Sequence, residues 1–403
     1  MEADNQGKMT EKYIILNKGR ESSVERKHPW IFSGAVKHFS EGLKDGEIME
    51  VRDHSGSVIA KAHYQGGASI VGRILAFENI EIDQQFWIDK FVKALHFRKN
   101  ILGLPNEVTN AYRLIHGEGD ELPGLIIDIY DRVAVVQCHS SGMHKSKLEI
   151  VAALKSLSEL NLKTIYNKSK ETLPDSQNST SSEGLLYGEE VSDLYIKENQ
   201  HAFMVQYNIG QKTGFFLDQR ENRAFVGSLS KDRSVLNCFC YTGGFSVYAL
   251  SGGASKVESV DISAKAMELC DLNVSLASHT EKHISHTANV MEYLKNEGES
   301  FDIVIVDPPA FAKSINKRHN AVQAYKRLNA LAMQKVKKGG LLFTFSCSQV
   351  ISNQLFYDTI VAAGMEAGRN AKVVKHMSQG GDHPVNLFHP EGHYLKGLMV
   401  YVD

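Results

Sequence analysis

The 403-residue chain has no apolar run near the roughly 20 residues needed to span a bilayer, so its sequence offers no transmembrane helix. Met1-Glu2-Ala3-Asp4-Asn5 lacks the basic and apolar regions of a secretory signal. Five scattered cysteines, with Cys238-x-Cys240 in place of a C-x-x-C, give neither a disulfide framework nor a thiolate metal site. Reduced thiols in a cytoplasmic protein are the expectation. There is no G-x-G-x-x-G and no G-x-x-x-x-G-K-[ST], which disfavours pyrophosphate and triphosphate cradles. The histidines His376, His383, His389 and His393 have irregular spacing and predict surface or loop roles, with no zinc site and no other metal. A formal charge of −2 is no overall nucleic-acid signature, so any RNA binding must rest on local clusters of cations.

What is present is ordinary for globular proteins: 42% hydrophobic and 23% charged residues, in a chain long enough for two or three domains. Short strands and turns occupy the first region: Tyr13-Ile14-Ile15-Leu16, Ile48-Met49-Glu50-Val51, Val58 to Ala62 and Ser69 to Leu75. They predict a small β-barrel over residues 9–80, followed by a helix over 86–101. A central α+β domain over 84–200 is read from the hairpin Leu125 to Tyr130 with Val133 to Gln137, and from a helix over 145–157. The polar stretch 171–184 is expected to be a mobile loop. Strand character resumes at Leu194-Tyr195-Ile196 and Phe203 to Tyr207. From about Ser234, strands alternate with helices, which predicts a doubly wound, largely parallel sheet in a domain over 201–403.

Two strands of that sheet carry chemistry. Ile303-Val304-Ile305-Val306 runs into Asp307-Pro308-Pro309, and Leu341 to Ser346 runs into Cys347, so a carboxylate and a thiol are expected at one carboxyl edge. The turn Asn237-Cys238-Phe239-Cys240-Tyr241-Thr242-Gly243-Gly244 follows the first strand of the unit and lets the backbone approach a ligand. Asp261 ends the next strand, where an acid can accept both hydroxyls of an adenosine ribose. Lys18, Arg20, Arg26 and Lys27 interleave with Trp30 as a candidate RNA-binding patch. Phe311, after the proline pair, is a candidate to stack on a flipped base.

These features together resemble the class I S-adenosylmethionine-dependent methyltransferases. Lys18-Gly19-Arg20 with His28-Pro29-Trp30-Ile31-Phe32-Ser33-Gly34-Ala35-Val36, Arg113 to Gly124, Gln211 to Arg220 and His393-Tyr394-Leu395-Lys396-Gly397 resemble the RlmI-like bacterial large-subunit ribosomal RNA cytosine-5 methyltransferases. The resemblance implies an N-terminal PUA-like barrel, a central α+β domain and a C-terminal Rossmann-like methyltransferase domain. It also implies S-adenosylmethionine as cofactor, ribosomal RNA as partner and a homodimer. Lys212, Thr213, Phe215, Asp218 and Arg220 would line the cofactor pocket, with Asp218 and Arg220 near its methionine moiety. Asn237, Phe239, Tyr241, Thr242, Gly243, Asp261, Ile262, Ser263, Asn289, Asp307 and Pro308 would complete it.

Carbon 5 of cytosine is too weak a nucleophile to take a methyl group from a sulfonium. A thiolate added at carbon 6 turns the ring into an enamine activated at carbon 5, which gives Cys347 the role of nucleophile. Asp307 would assist at N3. Two positions depart from related enzymes. Ala310 stands where other RNA cytosine-5 methyltransferases carry a second cysteine, leaving the base for the carbon 5 proton unassigned, with water as one option. Asn289 stands where an Asp is common, and its amide oxygen is expected to accept from the adenine amine. Two other readings fit the chain: methylation of an exocyclic base amine, with Cys347 structural, and a non-catalytic RNA-binding assembly factor.

Overall fold

The computed structural model describes residues 11–173, 183–296, 298–312 and 314–403. Most of the polar stretch expected to be a mobile loop lies outside them. The chain divides into two compact units. The first comprises Met1–Leu194, Gln206–Gly214 and Gly381–Gly392, and the second Tyr195–Val205, Phe215–Gly380 and His393–Asp403.

The first unit contains two sheets. Strands β1 (Tyr13–Leu16), β2 (Trp30–Phe32), β3 (Val36–Phe39), β4 (Ile48–Arg52), β5 (Val58–Tyr64) and β6 (Ile70–Ala76) form one, in the order β2-β6-β5-β4-β1-β3. Alternation puts Ile14, Leu16, Met49, Val51, Ala60 and Ala62 into one core. Strands β7 (Ala111–His116), β8 (Leu125–Tyr130), β9 (Val133–Cys138), β10 (Thr164–Asn167) and β11 (Gly184–Gly188) form the second, in the order β11-β10-β9-β8-β7. Helix Gln84–Asn100, N-capped by Asp83, buries Trp87, Phe91 and Leu95 against it. The helix expected over 145–157 is found as Lys147–Ser156, preceded across Ser146 by a short helix, Ser141–Lys145.

Arginine–carboxylate pairs lock this unit internally. Arg98, fully buried on its helix, grips Asp120 with both terminal nitrogens and also donates to the Asp382 carbonyl at 2.9 Å. Arg113 makes a two-point pair with Asp128 at 2.7 and 2.9 Å, and its own N–H donates to the Asp382 carboxylate. The motif Arg113 to Gly124 is therefore framework: its charges knit β7, β8 and the 381–392 segment together.

The second unit begins with the two-stranded ladder of β12 (Leu194–Glu198, whose first residue still belongs to the first unit) and β13 (His201–Val205). Its main sheet comprises β14 (Ser234–Cys238), β15 (Lys256–Asp261), β16 (His283–Thr287), β17 (Phe301–Val306), β18 (Val336–Ser346), β19 (Ala371–Met377) and β20 (Lys396–Val402). The order is β16-β15-β14-β17-β18-β20-β19. The first five are parallel, whereas β20 runs antiparallel between β18 and β19. Gly397 permits that insertion: a Cβ there would lie 2.6 Å from the Phe345 ring. Helices Arg318–Lys335 and Asn353–Ala367 bury Tyr325, Leu328, Met333, Phe356 and Ile360 in a core with Val304, Leu342 and Val400. The chain order reverses between β14 and β17, the switch point at which open α/β sheets bind ligands.

Candidate active site

Register places the chemistry. Val260 pairs with Cys238, Cys238 with Val306 and Val306 with Thr344, so four parallel strands end almost flush. Asp261 ends β15, the turn 239–243 follows β14, Asp307 follows β17 and Cys347 follows β18. The edge predicted from sequence exists.

The turn after β14 is held in an uncommon backbone. Phe239 and Tyr241 have φ of +59° and +48°, in a region costly for residues with a Cβ. Gly243, at φ +80°, has no such cost, and a Cβ there would meet the Cys270 sulfur at 2.5 Å. Asp261 pins this turn. One carboxylate oxygen accepts from the Tyr241 N–H at 3.0 Å and the other from the Ser263 N–H at 2.9 Å. Each oxygen retains lone-pair capacity for a ribose hydroxyl. Ile262 projects beside it, 69% exposed.

Asp218, on the short turn Leu217–Gln219, accepts from the Tyr394 hydroxyl at 2.6 Å through one oxygen. Its other oxygen is buried with no hydrogen-bond partner. An orphaned carboxylate oxygen is costly unless a ligand satisfies it, and an ammonium such as the methionine end of S-adenosylmethionine does so. With the Asp261 carboxylate and the strained turn, the residues present fit that cofactor.

Asp307 accepts from Gln219 Nε2 at 3.0 Å, and Asn222 holds the same amide through its oxygen at 2.6 Å. Neither Asp307 nor Asp218 makes an ion pair among the described residues. Burial, and then the Asp218 charge, push the Asp307 carboxyl up to about 7. At neutral pH it is poised between acid and carboxylate.

Two neighbours of Cys347 were not anticipated. Lys396 is buried on β20 opposite Ser346 and donates to the carbonyls of Ser348 and Tyr394 at 2.8 and 2.6 Å. Burial lowers its ammonium to about 8, and the Cys347 charge opposes that fall. Tyr325, in mid-helix, has a buried hydroxyl beside the Ser346 side chain and the Phe311 backbone, near enough to Cys347 and Asp307 to feel their charges. Burial raises its pKa, so it would serve as a neutral hydrogen-bonding group rather than a base. Lys396 lies within the motif His393 to Gly397, but nothing in that motif discloses its role. Tyr325 has no sequence signal.

Other expected residues are engaged elsewhere. Thr213 belongs to the first unit, where its hydroxyl donates to Asp128 at 2.6 Å and meets Tyr130 at 2.9 Å; Lys212 is exposed in the same segment. Phe215 is buried between Phe203 and the Arg223 guanidinium. Arg220 and Pro308 are buried in the second unit. Asn237 donates to Ser246 at 2.8 Å, and its amide oxygen is buried without a partner. Asn273 holds the Thr242 carbonyl at 2.9 Å. The Asn289 oxygen, expected to accept from adenine, instead caps helix Val290–Lys295 by accepting from the Met291 and Glu292 N–H groups. Only its amide nitrogen remains for a base. Phe311 rests on Tyr325, ring centroids 4.6 Å apart. Lys18, Arg20, Arg26 and Lys27 are exposed on the first unit. Trp30 is half-buried, tied to Glu118 by its indole N–H at 2.8 Å and packed edge-on against His389.

A parallel sheet with an acid ending β15, a strained glycine turn and a poised acid after β17 at its switch point has the layout of a methyltransferase core. Residues 112–372 match the S-adenosylmethionine-dependent methyltransferase family and residues 14–77 a PUA-like domain, and the chain belongs to that methyltransferase family. More particularly, it is 38% identical over 396 residues to ribosomal RNA large subunit methyltransferase I of Tolumonas auensis, covering 96% of this chain and 98% of the relative. The protein of that name from Vibrio campbellii is also 38% identical, over 397 residues, covering 96% and 99%. Among solved structures, the methyltransferase SMU.776 in complex with SAH shares the fold, with a TM-score of 0.83 and 24% identity over 97% of this chain and all of that one. No described helix is long and apolar enough to cross a membrane.

Proposed function

We propose that this methyltransferase places a methyl group on carbon 5 of a cytosine in large-subunit ribosomal RNA, with Cys347 forming a transient bond to carbon 6. The observation that carries this reading is the thiol of Cys347 at the end of β18, beside the strand that ends in the near-neutral acid Asp307. The relatives' printed names support the RNA class.

The ammonium of Lys396 favours the Cys347 thiolate electrostatically. The thiolate attacks carbon 6 while the Asp307 carboxyl gives a proton or hydrogen bond to N3, so electron density collects at carbon 5. Bound S-adenosylmethionine supplies an electrophilic methyl group. The carbon 5 proton then leaves to a base, the carbon 5–carbon 6 double bond is restored as the thiolate departs from carbon 6, and N3 returns any proton it received to the Asp307 carboxylate. Asp261 would hold the ribose, and Asp218 the methionine ammonium. The Tyr325 hydroxyl is available to a base lying over Phe311.

Lys18, Arg20, Arg26 and Lys27 supply the phosphate-binding charge in this reading. Action in the cytoplasm and assembly as a homodimer accompany it, the latter checked by light scattering. The decisive experiment is mass spectrometry of ribosomal RNA from cells with and without the gene. Loss of one 5-methylcytosine is expected; loss of an N-methylated base would overturn the proposal.

A further inference from the structure

His28 precedes β2 near one end of the chain, and His389 and Glu391 flank Pro390 near the other. All lie within the first unit. One ligand atom from each, an imidazole nitrogen or a carboxylate oxygen, falls within 4.8 Å of the other two. Glu391 approaches His28 Nε2 at 3.8 Å through one oxygen and His389 Nε2 at 3.8 Å through the other.

The second observation is His389 itself. Its ring is only 3% exposed, yet neither nitrogen has a hydrogen-bond partner. Buried polar atoms are normally satisfied, and an imidazole with both nitrogens orphaned calls for an explanation. Its walls are aromatic: the Trp30 ring lies 4.3 Å away and the His28 ring 5.4 Å away, both edge-on. Trp30 is itself steadied by Glu118. At His28, Nδ1 lies 3.3 Å from the Trp30 carbonyl and 3.2 Å from the Trp30 N–H. The tautomer that donates to the carbonyl leaves the Nε2 lone pair facing the cluster. Histidines that ligate metals are oriented in this way by an outer hydrogen bond.

The geometry points to a binding site for one divalent transition-metal ion of the zinc type, held by His28, His389 and Glu391. Two imidazoles and one carboxylate suit zinc rather than magnesium or calcium, which prefer all-oxygen shells. The 3.8 Å separations are close to those across a shared ion, and the half-exposed Glu391 can adjust to close the shell. Solvent would complete the coordination. Such an ion would staple the 389–391 turn to the entry of β2. His28 also lines a groove of about 670 Å³ with Arg26, Lys27, Phe32 and Phe388. The ion would therefore add positive charge to the face expected to meet RNA.

The test uses the full chain, stripped with chelator and titrated with Co²⁺ followed by absorption and with Zn²⁺ followed by calorimetry. One ion per chain is expected, with visible cobalt bands and no thiolate charge-transfer band, which separates this site from the cysteines. His389→Ala should abolish binding. Glu391→Gln, at a half-exposed side chain that leaves packing intact, should weaken it about tenfold or more. Zinc should raise the melting temperature of the wild type most, that of Glu391→Gln less, and that of His389→Ala not at all. No binding by the wild type, a thiolate band, or undiminished affinity in Glu391→Gln would overturn the proposal, the last even if His389→Ala fails to fold.

Discussion

The first unit and the carboxyl edge of the second unit's sheet treat their carboxylates in opposite ways, although elsewhere in the second unit Arg223 forks the buried Glu198 at 2.8 and 2.7 Å. In the first, Asp120 and Asp128 are each gripped by an arginine fork, from Arg98 and Arg113. In the second, Asp307 and Asp218 have only neutral donors, from Gln219 and Tyr394, and Asp218 keeps an orphaned oxygen. Paired charges fix a framework, whereas Asp307, with no ion pair of its own, is held ready to take a proton and Asp218 keeps an oxygen open to a ligand. The contrast separates scaffold from site without reference to any relative.

The contrast can be broken at several points. The largest effect is expected from Cys347→Ala, on the order of 10⁴-fold or more in methyl transfer with little change in melting temperature. RNA containing 5-fluorocytosine should form a covalent adduct with the wild type and none with the variant. In the scaffold, Arg98→Ala strands Asp120 and should cost about 3–5 kcal/mol, read by denaturant unfolding. Cofactor affinity per folded molecule should be unchanged; a selective loss of it would erase the distinction between the units.

Asp307→Asn should lower turnover about 10²–10⁴-fold and yet stabilise the protein. The sign follows from the raised pKa. Folded Asp307 holds its proton to about pH 7, while unfolded Asp releases it near 4, at about 1.4 kcal/mol per unit. Its penalty is therefore absent below about pH 4 and complete above 7, so the variant's melting temperature should rise at pH 8 and not at pH 4. Asp302 supplies the opposite case: Ser234 and Lys337 hold it near 2, against the cost of its burial. Its contribution is present at neutral pH and fades as pH falls toward 2.

Lys396→Met should shift the rising limb of the pH–rate profile upward by about one unit, because Cys347 loses its cationic neighbour. Methylation with an unmoved profile would assign Lys396 to packing alone. The smallest effect is Asn289→Ala, which removes a helix cap worth about 1 kcal/mol and should weaken cofactor binding only slightly in calorimetry.

Much of this was legible in the chain. Strand ends, the glycine turn, Asp261, Asp307 and Cys347 follow from local patterns of period two and turn chemistry. Three expected cofactor residues have other partners in the structure, for a common reason. Thr213, Phe215 and the Asn289 oxygen lie in segments whose residue types suit a ligand, but tertiary neighbours claimed them first: Asp128, the Phe203–Arg223 pair and a helix N-terminus. The helix expected over 145–157 forms as Lys147–Ser156. The antiparallel insertion of β20 depends on Gly397 passing Phe345, a contact between distant segments.

By itself the sequence determined the alternating strands and helices of the second unit's sheet and the acids and thiol at its edge, because strand periodicity and strand-end chemistry are local. Only the tertiary structure decided which charges are neutralised, which hydroxyl and ammonium lie near Cys347, and that His389 sits unsatisfied against His28. Those outcomes depend on burial and on partners far apart in the chain, and spacing along the sequence carries no record of either.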